Sequence, residues 1–209
     1  QIHSGTYTVT VTLAGCTATA SVDVQVNPLP IAAIKPVAAF CYGDKATLTL
    51  TTPFDAKNTY VWSPATDLSN PNIYSPDSKP VVTPFPMVAF TRTYTVTVTD
   101  DKFCKNTASV TFTVNPLPKV EAGPDTLLCN QNIGYKLVGY SPAGGTCTSA
   151  APPGTNFTLI GDVFTPSGTP AGEGSYKLYY TYTDNNKCTN KDSVTVMVKT
   201  PETIMMPPI

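Results

Sequence analysis

The chain predicts an all-β protein made of tandem antiparallel β-sandwich repeats. Three observations carry that reading. A phrase recurs: TYTVTVT, a short polar stretch with a cysteine, an alternating strand, then NPLP. It runs from Thr6 to Pro30 and again from Thr93 to Pro118, with a degenerate third copy from Ser175 to Pro201. The landmarks keep one spacing. Pro30 and Pro118, Cys16 and Cys104, and Cys41 and Cys129 each lie 88 positions apart, the mark of tandem domains. Finally, 21 prolines and 13 glycines punctuate the 209 residues so closely that no helical period survives between them.

The organisation follows in chain order. Residues 1–30 carry only a two-stranded hairpin, which is marginal in water by itself. They read as the C-terminal hairpin of a truncated repeat, whose exposed edges invite strand addition from another chain. Residues 31–118 and 119–201 are each the size of a small β-sandwich. Residues 202–209 are a Pro- and Met-rich linker or tail, expected to fray. The chain opens at Gln1 with no leader pattern and so reads as a processed or internal segment.

Side-chain parity places the strands. Tyr94, Val96 and Val98 alternate with threonines, as a half-buried antiparallel strand requires. Their partner alternates Ala108, Val110, Phe112 and Val114 with hydroxyl residues. The first copy repeats this with Tyr7, Val9, Val11 and then Val22, Val24, Val26. The third does so with Tyr176, Leu178, Tyr180, Tyr182 and then Val194, Val196, Val198. Each pair predicts a hairpin with Cys16, Cys104 or Cys188 in its loop. Upstream, Ala46 to Thr51 points Leu48 and Leu50 inward, and Tyr60 to Trp62 forms a further strand. Trp62, the one tryptophan, is expected in the core. Cys147 falls 18 residues after Cys129, near the place of Trp62, 21 after Cys41, and is read as a buried free thiol in place of a large core residue.

Composition excludes several functions. Charged residues make up 13% of the chain and the net charge is −1, so there is no basic face for nucleic acid. No apolar run is long enough to span a membrane as a helix. Six cysteines at repeat-matched positions point to disulfides and an oxidising compartment. The simplest pairing is Cys41–Cys104 and Cys129–Cys188, one per repeat, each closing a loop of about sixty residues worth roughly 4 kcal/mol. Bridges between neighbouring repeats, for example Cys41 to Cys188, are the alternative. The first and last inter-strand loops of a sandwich lie at opposite ends, so pairing within a repeat, the favoured reading, needs Cys41 on an earlier edge segment that runs back to the hairpin end. NPLP fixes φ twice and removes two donors, so the strand stops and the connection is short and stiff, turning a string of domains into a rod.

With these residues in view, the chain resembles the immunoglobulin-like and PKD-like repeats of very large Bacteroidota surface proteins. CYGDKATLTL, YVWSPATDLSNPN and TYTVTVTDDKFCKNTASVTFTVNPLP carry the resemblance in the second repeat. LVGYSPAGGTCTS, VFTPSGTPAGEGSYKLYYTYTD and KCTNKDSVTV carry it in the third. Gliding-motility adhesins of the SprB kind and other type IX secreted proteins contain such arrays. The resemblance implies tandem immunoglobulin-like (PKD-like) sandwiches in an extracellular, cell-surface adhesin stalk. Its partners would be neighbouring repeats, surface polysaccharide or the secretion and motility machinery. It also implies O-glycans at Asp-(Ser/Thr)-apolar sites, here Thr126 and Ser193. Such repeats also serve as spacers in secreted enzymes.

Catalytic chemistry is thinly represented. His3 is the one histidine and no GxSxG occurs. The carboxylates cluster at turns, where Asp shapes the backbone. No cofactor is expected. Asp100 and Asp101 are the weak Ca²⁺ candidates, since oxygen ligands at loop ends suit that ion. Tyr179 is the aromatic whose parity points outward, so a carbohydrate-binding module, with a sugar stacked on its ring, is the alternative to a stalk.

Overall fold

A computed structural model describes residues 3–129, 133–150, 157–166 and 173–200. Every regular element among them is a strand. The chain forms two compact units. The first comprises Gln1–Ala38, Gly43–Val81 and Thr91–Phe112, the second Ala39–Tyr42, Val82–Phe90 and Thr113–Ile209. The expected tail, residues 202–209, lies outside the described residues.

The first unit opens with the hairpin β1 (Gly5–Leu13) and β2 (Cys16–Val24), paired from Gly5↔Val24 to Leu13↔Cys16. Ala14 and Gly15 close it with φ of 49° and 84°, the double positive φ that a two-residue turn between twisted strands needs. Parity predicts one dry face here, and the structure differs. Tyr7, Val9, Val11, Leu13 and Val22 are all at least half exposed, because no second sheet among the described residues lies over them.

β3 (Phe40–Cys41), β4 (Ala46–Thr47), β5 (Thr59–Ser63), β6 (Asp77–Ser78), β7 (Phe90–Thr99) and β8 (Lys105–Asn115) follow along the chain, with β3, Phe90 of β7 and residues 113–115 of β8 counting with the second unit. β5 pairs antiparallel with β7, setting Trp62 opposite Val96 and Tyr60 opposite Val98. β4 pairs with β6 in a second small sheet. Leu48, Leu50, Tyr60, Trp62, Tyr94, Val96, Val98 and Phe112 are buried, as the alternation requires. Ser78 ties the two sheets together by donating to the Tyr94 phenol at 3.1 Å. The Trp62 indole N–H donates to the carbonyl of Ile73 at 2.9 Å, so this buried aromatic keeps its polar atom satisfied.

The second unit holds β9 (Glu121–Ala122), β10 (Thr126–Cys129), β11 (Tyr135–Lys136), β12 (Tyr140–Ser141), β13 (Thr146–Ser149), β14 (Phe157–Ile160), β15 (Val163–Pro166), β16 (Gly174–Thr183) and β17 (Thr189–Lys199). One sheet runs β10-β17-β16-β13, another β11-β15-β14, and β12 pairs with β9. Phe164 of β15 and Tyr176 of β16 hold ring centroids 5.3 Å apart across the interior. Val120, Ala122, Leu137, Phe164, Leu178, Tyr180, Val194, Val196 and Val198 form the core between the sheets. The fold is thus all-β, with immunoglobulin-like sandwich repeats in tandem.

Two pairings are parallel where antiparallel neighbours are expected. β10 runs parallel to the end of β17, with Cys129 opposite Lys199. β3 runs parallel to the end of β8, with Cys41 opposite Asn115. This geometry overturns the disulfide pairing within repeats. Cys188 precedes the first residue of β17, and Cys129 lies beside its last. Ten residues of strand at about 3.3 Å each separate the two ends by roughly 33 Å, far beyond the Cα separation of about 4.4–6.8 Å that a disulfide tolerates. Cys104 and Cys41 stand at the two ends of β8 in the same way. The bridge that forms is Cys41–Cys188, with Cα atoms 5.4 Å apart, and both cysteines belong to the second unit. Cys104 and Cys129 are thiols, as are Cys16 and Cys147.

Candidate functional site

The hairpin tips and the NPLP segments make one repeated arrangement. At the β16–β17 tip, the Asp184 carboxylate accepts the Cys188 N–H at 2.9 Å, and Asp184 N–H donates to the Cys188 carbonyl at 3.0 Å. Lys187 takes a left-handed φ of 66° to close the turn. The β7–β8 tip repeats this with Asp100 accepting from Cys104 at 2.9 Å and Phe103 at φ 62°. The aspartates at these tips therefore shape turns. Asp100 also accepts the Lys102 N–H at 2.9 Å, so its oxygen is committed to the backbone, and Asp101 beside it is exposed. Among the described residues no group of three or more His, Cys, Asp or Glu side chains could hold a metal ion.

Two residues beyond each tip cysteine stands an asparagine. Asn106 donates its amide to the carbonyl of Pro30, and Asn190 to that of Pro118, both at 2.9 Å. Each asparagine oxygen accepts the next backbone N–H at 2.9 Å, which fixes the side chain. The last proline of each NPLP is thereby latched to the tip end of a hairpin. Sequence reasoning missed this pair. The signal was present, as KNT and TNK at matched distances from the cysteine, but Ala18 fills that position in the first copy.

The remaining sequence-derived residues disperse. Trp62 is core. Cys147 lies opposite Tyr180, the register that Trp62 holds opposite Val96, and is half-buried against the core. Beside it Tyr140 donates to Asp162 at 2.7 Å. That bond holds the Asp162 carboxyl below its ordinary range and raises the Tyr140 phenol. Cys147, Tyr140, Asp162 and Tyr180 line a cavity of about 300 Å³. Burial, with the Asp162 charge second, pushes the Cys147 thiol up. That is the reverse of the lowering that a nucleophilic cysteine needs. Tyr179 is half-buried, with the Lys191 and Lys177 ammoniums 4.9 and 5.8 Å from its ring centroid. Ser193 lies opposite it on β17, and Thr126 donates to the Pro124 carbonyl at 3.1 Å on the outer strand β10. Both hydroxyl residues are half-buried.

No protein family matches the chain, and no curated protein does. Solved structures that it resembles include the insect immune protein hemolin, at 15% identity and a TM-score of 0.37, over 93% of this chain and 56% of that one. Sidekick-1 immunoglobulin domains 1–5 align at 11% and 0.33, over 81% and 38%. The N-terminal eight Ig domains of Down Syndrome Cell Adhesion Molecule align at 11% and 0.32, over 93% and 32%. The chain spans about half or less of the length of these structures. No helix among the described residues is long and apolar enough to cross a membrane.

Proposed function

We propose that these repeats form the load-bearing, non-catalytic stalk of an extracellular adhesin. The supporting observation is the Cys41–Cys188 bridge, which joins positions 147 apart in sequence. Tension applied at the two chain ends enters at Cys41, crosses the sulfurs and leaves at Cys188. The chain between them is bypassed, while β17, which follows Cys188 and pairs with β10 and β16, stays in the path of the load. The resemblance of the repeats to Bacteroidota surface arrays favours an adhesin of the gliding-motility type, exported by the type IX route and displayed on the cell surface. Its partners are the neighbouring repeats and, through other parts of the protein, a surface polysaccharide or the motility machinery. No cofactor enters this role. Thr126, on an outer strand, is the better placed of the two glycan acceptors. Tyr179 supports a carbohydrate-binding role less well, since it is half-buried with two ammonium groups against its ring.

Pulling the chain by its ends in a single-molecule force experiment tests the role. The oxidised chain should not release the bridged segment at any force that leaves the bridge intact. Reduction should add about 500 Å of contour, at ~3.3–3.6 Å per residue. An oxidised chain that lengthens as far as the reduced one would remove the load-bearing role.

A further inference from the structure

We propose that Cys104 and Cys129 are the open halves of junction disulfides, each taking the complementary cysteine of an adjoining copy of the repeat. The assignment stands whether or not the repeats bear load. It starts from the bridge that is closed. Cys41 occupies the end of a sheet, opposite Asn115 at the close of β8, and Cys188 occupies a hairpin tip just before β17. These are two different kinds of place, and each kind occurs twice. Cys129 lies opposite Lys199 in a parallel pair, as Cys41 lies opposite Asn115. Lys199 and Asn115 both stand eleven residues after their tip cysteine. Cys104 sits in a tip with the hydrogen bonds of Cys188: its N–H to Asp100, and Asp100 N–H to its carbonyl at 3.1 Å. Cys129 is exposed, Cys104 is half-buried, and Phe103 next to Cys104 is 85% exposed.

The latches fix the direction of the rule. Each asparagine binds the last proline of the NPLP preceding its own repeat, so a tip cysteine stands near the linker that leads into the repeat. Asn115 runs directly into Pro116, so a sheet-end cysteine stands at the linker that leads out. A bridge from a sheet-end cysteine to the next tip cysteine therefore clasps the linker, as Cys41–Cys188 does around residues 116–118. By that rule Cys129 takes the tip cysteine of a following copy. Cys104 takes the sheet-end cysteine of a preceding copy, which would stand beside Asn27, the residue eleven after Cys16. Each bridge forms when two thiols lose two protons and two electrons to a disulfide oxidant such as glutathione disulfide, which departs as two thiols.

The test is a tandem polypeptide of residues 1–199 followed by residues 28–209, so that Lys199 enters Pro28 as Asn115 enters Pro116. Cys104→Ser in the first copy and Cys129→Ser in the second make the candidate pair unique. The protein is folded in a glutathione redox buffer, alkylated, digested without reduction and mapped by mass spectrometry. The expected result is first-copy Cys129 joined to second-copy Cys104, with Cys41–Cys188 closed in both copies. Two closed Cys41–Cys188 bridges with Cys129 and Cys104 both alkylated would overturn the assignment, as would Cys129 joined to any other cysteine. Failure of Cys41–Cys188 to close in the tandem or in the unaltered chain removes the pattern on which the rule rests and overturns it equally.

Discussion

Trp62 and Cys147 show how one position can change its residue and keep its place. Both face the residue eight before the tip cysteine, Val96 for Trp62 and Tyr180 for Cys147. The large side chain has moved from one member of the pair to the other. Tyr180 takes the volume and needs a polar partner for its phenol, which Gly145 supplies by donating its N–H at 2.7 Å. A Cβ at Gly145 would fall 2.5 Å from the Tyr180 ring, so the glycine is part of the exchange. The sequence spacing located this position to within three residues and named a thiol there. It could not show that Tyr180 had absorbed the bulk, because cross-strand pairing depends on register, which the alternation of either strand alone leaves open. Restoring tryptophan at one partner while the other stays large overpacks the site. Cys147→Trp should destabilise the second unit by about 1–3 kcal/mol, whereas the double change Cys147→Trp with Tyr180→Val should recover part of that loss. Urea unfolding of both variants checks the order.

At the scale of the strand, identical sequences meet different surroundings. TYTVTVT forms a hairpin strand in both β1 and β7, with the same polar ladders on the outer side. Thr8–Ser21 and Thr95–Ser109 are both hydroxyl pairs, at 2.8 and 2.7 Å. Local pattern therefore suffices for the strand and its hairpin, but not for the turn: Leu13 pairs with Cys16 across a two-residue turn in the first copy, whereas Asp100 to Cys104 make a longer tip in the second. Burial is another matter: Val96 is 0% exposed and Val9 is 59% exposed. Alternation says which side chains could be dry, and only a covering sheet makes them so. For the same reason the parallel pairings of β3 and β10, which decide where Cys41 and Cys129 lie, were not legible from two- and four-residue segments. Val96→Ala should cost about 2 kcal/mol, the transfer of a buried valine's methyls plus the cavity they leave. Val9→Ala at the matching site should stay within about 0.5 kcal/mol. Trp62 lies opposite Val96, so its fluorescence follows the first loss, and far-UV circular dichroism follows the strands of the first hairpin. Equal losses would mean that the first hairpin is covered in solution.

Over the whole molecule, near-balanced charge leaves pH response to a few placed groups. Asp77 is lowered by hydrogen bonds from Lys45 and Thr47, Asp162 by the bond from Tyr140, Glu173 by bonds from Thr200, and Asp192 by the N–H groups of Ala122 and Ser193. A carboxyl whose folded value is depressed stabilises the fold above its unfolded value of about 4 and loses that contribution as pH falls through the lower folded value. Tyr140, raised chiefly by its bond to Asp162, and Tyr94, raised chiefly by burial, act at the other end. Their contribution is complete below the ordinary phenol value of about 10 and is lost as pH rises through the folded value. Stability should therefore be level between roughly pH 5 and 9 and fall on both sides. One hydrogen bond links the two limbs, since Tyr140 must keep its proton and Asp162 must lack one. Tyr140→Phe removes that bond and should flatten the acid and the alkaline limb together. Asp192→Asn should change the acid limb alone. Melting temperatures across the pH range separate the cases, and a Tyr140→Phe protein with both limbs intact would show that the bond does not contribute in solution.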